Sequence, residues 1–416
     1  MRPADLAGLQ PAEILERTGA PEAKKSAAEA LARLGIPSKK SEEYRYFDPK
    51  PWMQTDWEVV TAKQGEPKVG HHIVVEDGAL VEVPNVEGVR VRVREAGEHD
   101  PEHFDPLYHL SHLLTPRTIE IAFDKDAKVE LVHRYTQAGK LMPCRIQIKV
   151  ADNITARVTE RFEGEGACDS FVLGGWDAIL SPYGALKWYT QQTLREGDYT
   201  PILSHRVLAK RGAYVGMHTF DFGSGSGLQP LQVKLERDAE AKAYHLLYAT
   251  DEAKRGVVSK IWHVGEHAHS DQRAKSILDG RARGIFDALI RVEPSGKYAI
   301  AHQNSRAILL NDGAYMASKP QLEIYIDDLE ASHGATVGQL DDAQLFYLRS
   351  RGISKAEAKK MLILAFANEM IDLIDDESVQ AAVHGAFEKV YYGENRIACM
   401  ETCHGCEETI LNPVED

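Results

Sequence analysis

Along most of the chain, apolar and polar residues alternate in short runs and do not recur at helical spacing. Residues 126–131 (Asp-Ala-Lys-Val-Glu-Leu), 152–158 (Asp-Asn-Ile-Thr-Ala-Arg-Val), 183–188 (Tyr-Gly-Ala-Leu-Lys-Trp), 211–216 (Arg-Gly-Ala-Tyr-Val-Gly) and 238–243 (Asp-Ala-Glu-Ala-Lys-Ala) share one theme. Each has a polar or glycine turn, a small residue and then an alternating strand. The theme recurs roughly every 25 to 32 residues between about Arg117 and Val337, a period typical of solenoids. Each such unit buries its apolar face only against its neighbours, so the pattern predicts a stacked array with capped ends. Periodicity alone leaves a sandwich or a barrel open.

The flanks read differently. Residues 22–34 are rich in Ala, Lys and Glu, with Pro21 before them and Gly35 and Pro37 after, which predicts a helix with a stop. Pro49, Pro51 and Trp52 predict an irregular segment, and residues 72–75 and 79–83 flank Asp77-Gly78 as a hairpin. Val89, Val91 and Val93 alternate with arginines in a half-buried strand. Beyond the array, Asp341-Asp342 cap a helix over 344–351 that stops at Gly352, and Ser354 with Glu357 forms a capping box. Residues 361–367 (Met-Leu-Ile-Leu-Ala-Phe-Ala) are apolar on every side and are expected to be covered all round. Val379, Val383, Phe387 and Val390 mark one face of a last helix. Three regions result: a mixed N-terminal cap over 1–116, the repeat core over 117–338, and a helical region with a Cys-rich tail over 339–416.

The block 319–338 carries the strongest signal. Leu322, Ile324 and Ile326 alternate with Glu323, Tyr325 and Asp327, a strand with one polar face, ended by Asp327-Asp328. Gly334 and Gly338 then place His333 on a turn. This block, its continuation through 344–352 (Gln-Leu-Phe-Tyr-Leu-Arg-Ser-Arg-Gly) and the distant Ser41-Glu-Glu-Tyr-Arg-Tyr46 together closely resemble the SufB/SufD family of SUF iron-sulfur cluster assembly proteins, on the SufD side. Tyr44 stands where that family's early motif usually has Trp.

The resemblance implies a mainly β fold, a right-handed parallel β-helix core between an N-terminal α/β region and C-terminal helices. It implies a non-enzymatic scaffold subunit that pairs with a SufB-like subunit and docks a SufC-like ABC ATPase through its C-terminal helices. His333 would face the SufB-like partner where a cluster forms, with Glu330 beside it as a carboxylate. Phe346, Tyr347, Arg349 and Arg351 are the expected ATPase-docking residues, an aromatic anchor beside arginines. Any iron-sulfur cluster would be transient or shared, because Ala331 stands where the family commonly has Cys and cannot ligate a metal. The alternatives within the family are a SufB-like scaffold that binds the cluster itself, and a homodimer.

Composition narrows the partners. A net charge of −14 and a pI near 5.7 argue against nucleic acid or an anionic membrane, and no run approaches a membrane span. The start lacks a signal peptide's apolar core, so a cytoplasmic protein is expected. Five cysteines, unevenly placed, are not a disulfide framework.

Cys399, Cys403 and Cys406 have radical-SAM spacing, yet too few residues follow them to build the barrel that chemistry needs. With His404 they form a candidate soft-metal site for an iron-sulfur cluster or zinc. His263, His267 and His269 read as a surface turn or a metal site. The glycine run 223–227 lacks the Lys-Ser/Thr of a phosphate loop, so no nucleotide site is expected. Paired acids such as Asp327-Asp328 raise a β-helical carbohydrate-active enzyme as the rival of another class. The missing export signal and the flanking motifs weigh against it.

Overall fold

The computed structural model describes residues 1–61, 64–164 and 166–392. Two eleven-stranded sheets form the walls of a flattened coil. One wall stacks Ala127–Arg134, Thr155–Glu163, Ala185–Leu194, Tyr214–Gly223, Glu240–Ala249, His269–Leu278, Ala299–Leu309 and Leu329–Gly338, each parallel to the next. The opposite wall stacks Thr118–Phe123, Lys140–Val150, Phe171–Leu180, the pair Thr200–Leu203 and His205–Ala209, Gly227–Leu235, Lys254–His263, Arg283–Val292 and Tyr315–Ile324. The chain alternates between walls, so every coil contributes a strand to each. The fold is a parallel β-solenoid, and the five repeats legible in the sequence lead into five successive strands of the first wall.

The turns explain the period. Asn153, Tyr183, Gly212, Asp238, His267 and Tyr298 all have positive φ, between 56° and 65°. Such a conformation is costly for bulky side chains. It persists because each turn is tied to the next coil: Tyr183 N–H donates to Arg211 O (2.9 Å), Asp238 N–H to Glu266 O (2.9 Å) and His267 N–H to Lys297 O (2.8 Å). Between the walls, Ile146, Val158, Trp176, Trp188, Val207, Val233 and Ile261 fill the lumen and are almost wholly buried.

The N-terminal segment closes one end. Ile73–Glu76 and Ala79–Pro84 form the expected antiparallel hairpin about Asp77-Gly78, and Ile73–Glu76 joins the first wall beside Ala127–Arg134. Val89–Arg94 pairs antiparallel with Thr118–Phe123 and ends the opposite wall. Lys50–Gln54 is a short helix where irregular chain was expected, because proline suits a helix's first turn. Helices Lys25–Leu34 and Pro106–Leu114 cover the outer face of the opposite wall, over Leu141, Phe171 and Leu173.

At the C-terminal side, helices Lys355–Ile371 and Glu377–Tyr392 lie on the outer face of the first wall. Val379, Val383 and Phe387 form the buried face read from the sequence, and the Phe387 ring meets Phe222 and Tyr248 at 5.5 and 5.6 Å. The apolar run 361–367 is not enclosed: Ile363 and Ala367 face the wall, but Met361 is 43% exposed, since only one side of this helix meets the solenoid.

A buried polar network fastens the cap. Asp177 accepts from Tyr108 Oη (2.7 Å), lies 3.3 Å from His112 Nε2 and pairs with the Arg145 guanidinium. The guanidinium sits 4.7 Å from the Tyr108 ring. Burial favours the neutral carboxyl, but Arg145 and His112 hold Asp177 well below the usual carboxylate range. His99, His103, His109 and His112 crowd the same junction, and His99 Nε2 is 2.7 Å from His109 Nδ1. Burial pushes all four imidazoles down, His109 and His112 to about 4.

A histidine that ionises normally when unfolded but resists protonation when folded lets the unfolded state bind more protons below pH 6.5. Stability carried by this junction is therefore present above about pH 6.5 and is lost as pH falls toward 4. Urea denaturation should show a midpoint that drops over this window, with His112→Gln flattening the drop. A midpoint unchanged between pH 7 and pH 5 contradicts this.

Candidate functional site

The last coil is where the array stops. Among the described residues, Tyr315–Ile324 and Leu329–Gly338 are the outermost strands of their sheets, each paired on one side only. An unpaired strand edge is a template for another chain unless something covers it. Apolar and aromatic groups accompany this edge: Ile324, Tyr325 and Val337 are exposed.

His333 lies within the strand Leu329–Gly338 and not on a turn, because Gly334 and Gly338 adopt negative-φ strand conformation here. Its register partner is Gln303, which pairs with Gln272, then Ala243, Met217, Trp188, Val158 and Val129. His333 thus ends a lumen-facing row that is apolar in the interior and turns to amides near the mouth. Gln272 Oε1 accepts from Ser259 Oγ (2.6 Å), and Gln303 Nε2 donates to Ala288 O (3.2 Å), both across to the other wall. Gln272 Nε2 and Gln303 Oε1 find no hydrogen-bond partner among the described residues. The His333 side chain is exposed. A groove of about 450 Å³ beside it is lined by Arg273, Lys275, His302, Arg306 and Glu369.

Glu330 does not join His333. Three residues apart on a strand, they point to opposite faces; Glu330 pairs in register with Ile300, and its Oε1 lies 3.8 Å from His302 Nε2. His302 Nδ1 meets Ser332 Oγ at 2.7 Å on that outer face. Ala331 shares the His333 face, in register with Ala301.

The docking candidates form an exposed patch on helix Asp342–Ser350. Asp341 caps it, accepting from Ala343 N–H (2.8 Å) and Gln344 N–H (3.3 Å). Leu345 faces inward, while Phe346 is 73% and Tyr347 56% exposed, so Phe346 is not a core residue. Arg349 and Arg351 are exposed, and the Arg351 guanidinium stands 5.1 Å from the Tyr347 ring.

Other candidates separate. His263 is buried and bonds Ser270 Oγ (2.8 Å), His267 sits on a turn and His269 begins the next strand; among the described residues no His, Cys, Asp and Glu group is arranged to hold a metal. Residues 224–226 are the turn between Tyr214–Gly223 and Gly227–Leu235. Cys399, Cys403 and Cys406 lie outside the described residues. Sequence reading missed the histidine junction at 99–112, although four histidines within fourteen residues were in plain view. It also missed a buried lumen pair, His133 and Glu160, whose Nε2 and Oε1 lie 3.0 Å apart.

A parallel solenoid of two stacked walls, with helices packed on the outer face of each, belongs to the class of β-helix proteins. Residues 132–366, more than half of the chain, match the family model for the SUF system FeS cluster assembly SufBD core domain. The chain belongs to this SufBD family of iron-sulfur cluster assembly proteins. It is 42% identical over 127 residues to iron-sulfur cluster assembly protein SufD of Escherichia coli (strain K12), covering 30% of each chain. A SufBD family protein of Synechocystis is 34% identical over 163 residues, 38% of this chain and 36% of that one. SufD of Bacillus subtilis (strain 168) is 30% identical over 138 residues, 33% of this chain and 32% of that one. The chain spans about a third of the length of these relatives. No helix among the described residues is long and apolar enough to cross a membrane.

Exposed side chains carry little of a fold's stability. His333→Ala and Phe346→Ala should each shift the unfolding free energy by less than about 0.5 kcal/mol. Phe387→Ala, which empties a buried aromatic site, should cost about 3–5 kcal/mol. Chemical denaturation of the three variants checks this, and a large loss in either exposed variant would return that residue to the core.

Proposed function

We propose that this chain is a SufD-like subunit of a SUF complex, pairing with a SufB-like subunit through its open coil and docking a SufC-like ATPase through helix Asp342–Ser350. The observation that carries the reading is the position of His333 at the mouth of the lumen, on the coil that, among the described residues, has no successor. Family membership and the SufD names of the relatives support the same assignment. The cluster is cargo. His333 supplies one imidazole toward it, and Ala331, on the same face, supplies nothing, so thiolate ligands come from the partner. Glu330, on the other face, acts at the rim through His302 and not as a ligand beside His333.

The Phe346, Tyr347, Arg349 and Arg351 patch suits an interface hot spot, with an aromatic anchor flanked by guanidiniums. We take the chain to be a cytoplasmic adaptor with no nucleotide site of its own, which transmits ATPase motion to the seam. The tail Cys399, Cys403 and Cys406 is the reserve for the SufB-like alternative: metal bound there would make the chain a scaffold in its own right.

Anaerobic reconstitution with SufB-like and SufC-like partners tests this. His333→Ala should leave the complex assembled and lower its cluster yield. Phe346→Ala should weaken ATPase association by about 2 kcal/mol. The chain alone should not hydrolyse ATP. Full cluster yield with His333→Ala, or ATP turnover by the chain alone, sinks the reading. Stoichiometric iron or zinc lost on changing the three tail cysteines to Ser shifts it to the scaffold alternative.

A further inference from the structure

A basic trough runs along the outer face of the first wall, on a chain whose net charge is −14. Its floor is one register column, Tyr189, His218, Tyr244, Arg273, Asn304 and Gly334, each in line with the next. Their chain neighbours Trp188, Met217, Ala243, Gln272 and Gln303 face the lumen, so this column faces out. Five coil steps make it about 24 Å long. Helix Lys355–Ile371 and the turn after it form one side. Two hollows occupy the trough, about 350 Å³ beside Tyr189 and Tyr244 and about 450 Å³ beside Arg273 and Gly334, and Leu373, 37% exposed, lines both. Lys187, Lys242, Arg273, Lys275 and Arg306 line them with five cations, against the carboxylates of Asp271, Glu369 and Asp375. Glu240, which lines neither hollow, lies 3.2 Å from Lys242 Nζ. Asp271 is already engaged twice: Tyr244 Oη donates to it (2.8 Å) and Arg273 Nη2 lies 2.8 Å away, its guanidinium 5.4 Å from the Tyr244 ring. His218 is 7% exposed, lines the first hollow, and has an Nδ1 that no hydrogen bond among the described residues reaches. Burial pushes its imidazole down to about 4, so it stands there uncharged.

We propose that this trough seats an extended acidic peptide segment of a partner protein, its carboxylates on Lys187, Lys242, Arg273 and Arg306 and an apolar side chain on Leu373. The chain's own helices already use the trough in this way. Lys187 pairs with Asp375 and Lys275 with Glu369, and Arg306 Nη1 lies 3.8 Å from Glu369, the carboxylates reaching down from the helix and its turn. Asp375 and Glu369 are exposed. Ion pairs this exposed contribute little, so a carboxylate from another chain replaces either at small cost. The length fits about seven residues of extended chain. A nucleic acid fits less well, because a phosphate on every nucleotide meets Glu369 and Asp375 as well as the cations, whereas a peptide spaces its acids. The assignment goes beyond the SUF reading and does not rest on it.

Fluorescence anisotropy on the full chain tests this with a fluorescein-labelled peptide of three Glu-Glu-Leu repeats. The peptide should bind at low salt and weaken as salt screens the pairs, while three Lys-Lys-Leu repeats should not bind. Arg273→Glu and Lys242→Glu should each weaken the acidic peptide roughly 10-fold. Lys254→Glu makes the same charge change at an exposed position on the opposite wall and should leave the affinity unchanged. Should Arg273→Glu lose the native circular dichroism spectrum, Lys242→Glu decides alone. Absence of binding, equal binding of the Lys-Lys-Leu peptide, or an equal loss with Lys254→Glu overturns the proposal. An oligothymidylate of similar length that binds tighter than the peptide overturns it in favour of a nucleic-acid site. Changing Glu407, Glu408 and Glu415 to Gln and Asp416 to Asn in the full chain should not alter the peptide's affinity. A roughly 10-fold gain there makes these acidic residues of the same chain the occupant and overturns the partner assignment.

Discussion

A parallel coil cannot satisfy its own backbone. Every N–H and C=O in the walls of this solenoid points along the stack, so each strand depends on the strand before it and the strand after. The ends are therefore the places where the fold must do something else. At the N-terminal end, an antiparallel strand closes one wall and a hairpin joins the other, while helices seal the flank. At the other end, Tyr315–Ile324 and Leu329–Gly338 have no strand partner on their outer edges among the described residues, and the chain departs into helices that turn back along the first wall. The candidate site follows from this asymmetry, because His333 belongs to the uncovered coil.

The same stacking rule makes the lumen a channel for side-chain rows. Positions in register form columns along the axis, so one residue changed per coil alters the chemistry stepwise. The column ending at His333 passes from Val129 and Val158 through Trp188 and Met217 to Gln272 and Gln303. Gln272 and Gln303 each hydrogen-bond across to the other wall, so the column passes from apolar packing to cross-wall amide contacts toward the mouth.

Much of this was legible in the residues. The repeats were visible because the strands of one wall alternate cleanly and their turns need Asn, Asp, Gly or a stacked aromatic at a fixed offset. The opposite wall was harder to read. Arg145, Gln147 and Asp177 look like outward polar positions, yet they are buried under the cap, where Tyr108 and His112 satisfy Asp177. His333 was misplaced on a turn because Gly334 and Gly338 are turn residues by propensity, and the ladder to Ala299–Leu309 overrides that preference. Helix 355–371 was expected to be enclosed because residues 361–367 are apolar all round, yet Ile363 and Ala367 face the wall while Met361 is exposed on the opposite side. The lumen pair of His133 and Glu160 comes from two strands, and no linear spacing joins them.

Pairing through the open coil requires the last coil to be an edge that another protein's strand completes. Amide hydrogen exchange on Leu329–Gly338 tests that most directly, in the monomeric chain and after adding a SufB-like partner. The unpaired amides of this strand should exchange fast in the free chain and slow strongly in the complex, with Glu240–Ala249 in mid-stack slow in both. Unchanged exchange at the last strand in a stable complex would place the partner elsewhere and remove His333 from the seam.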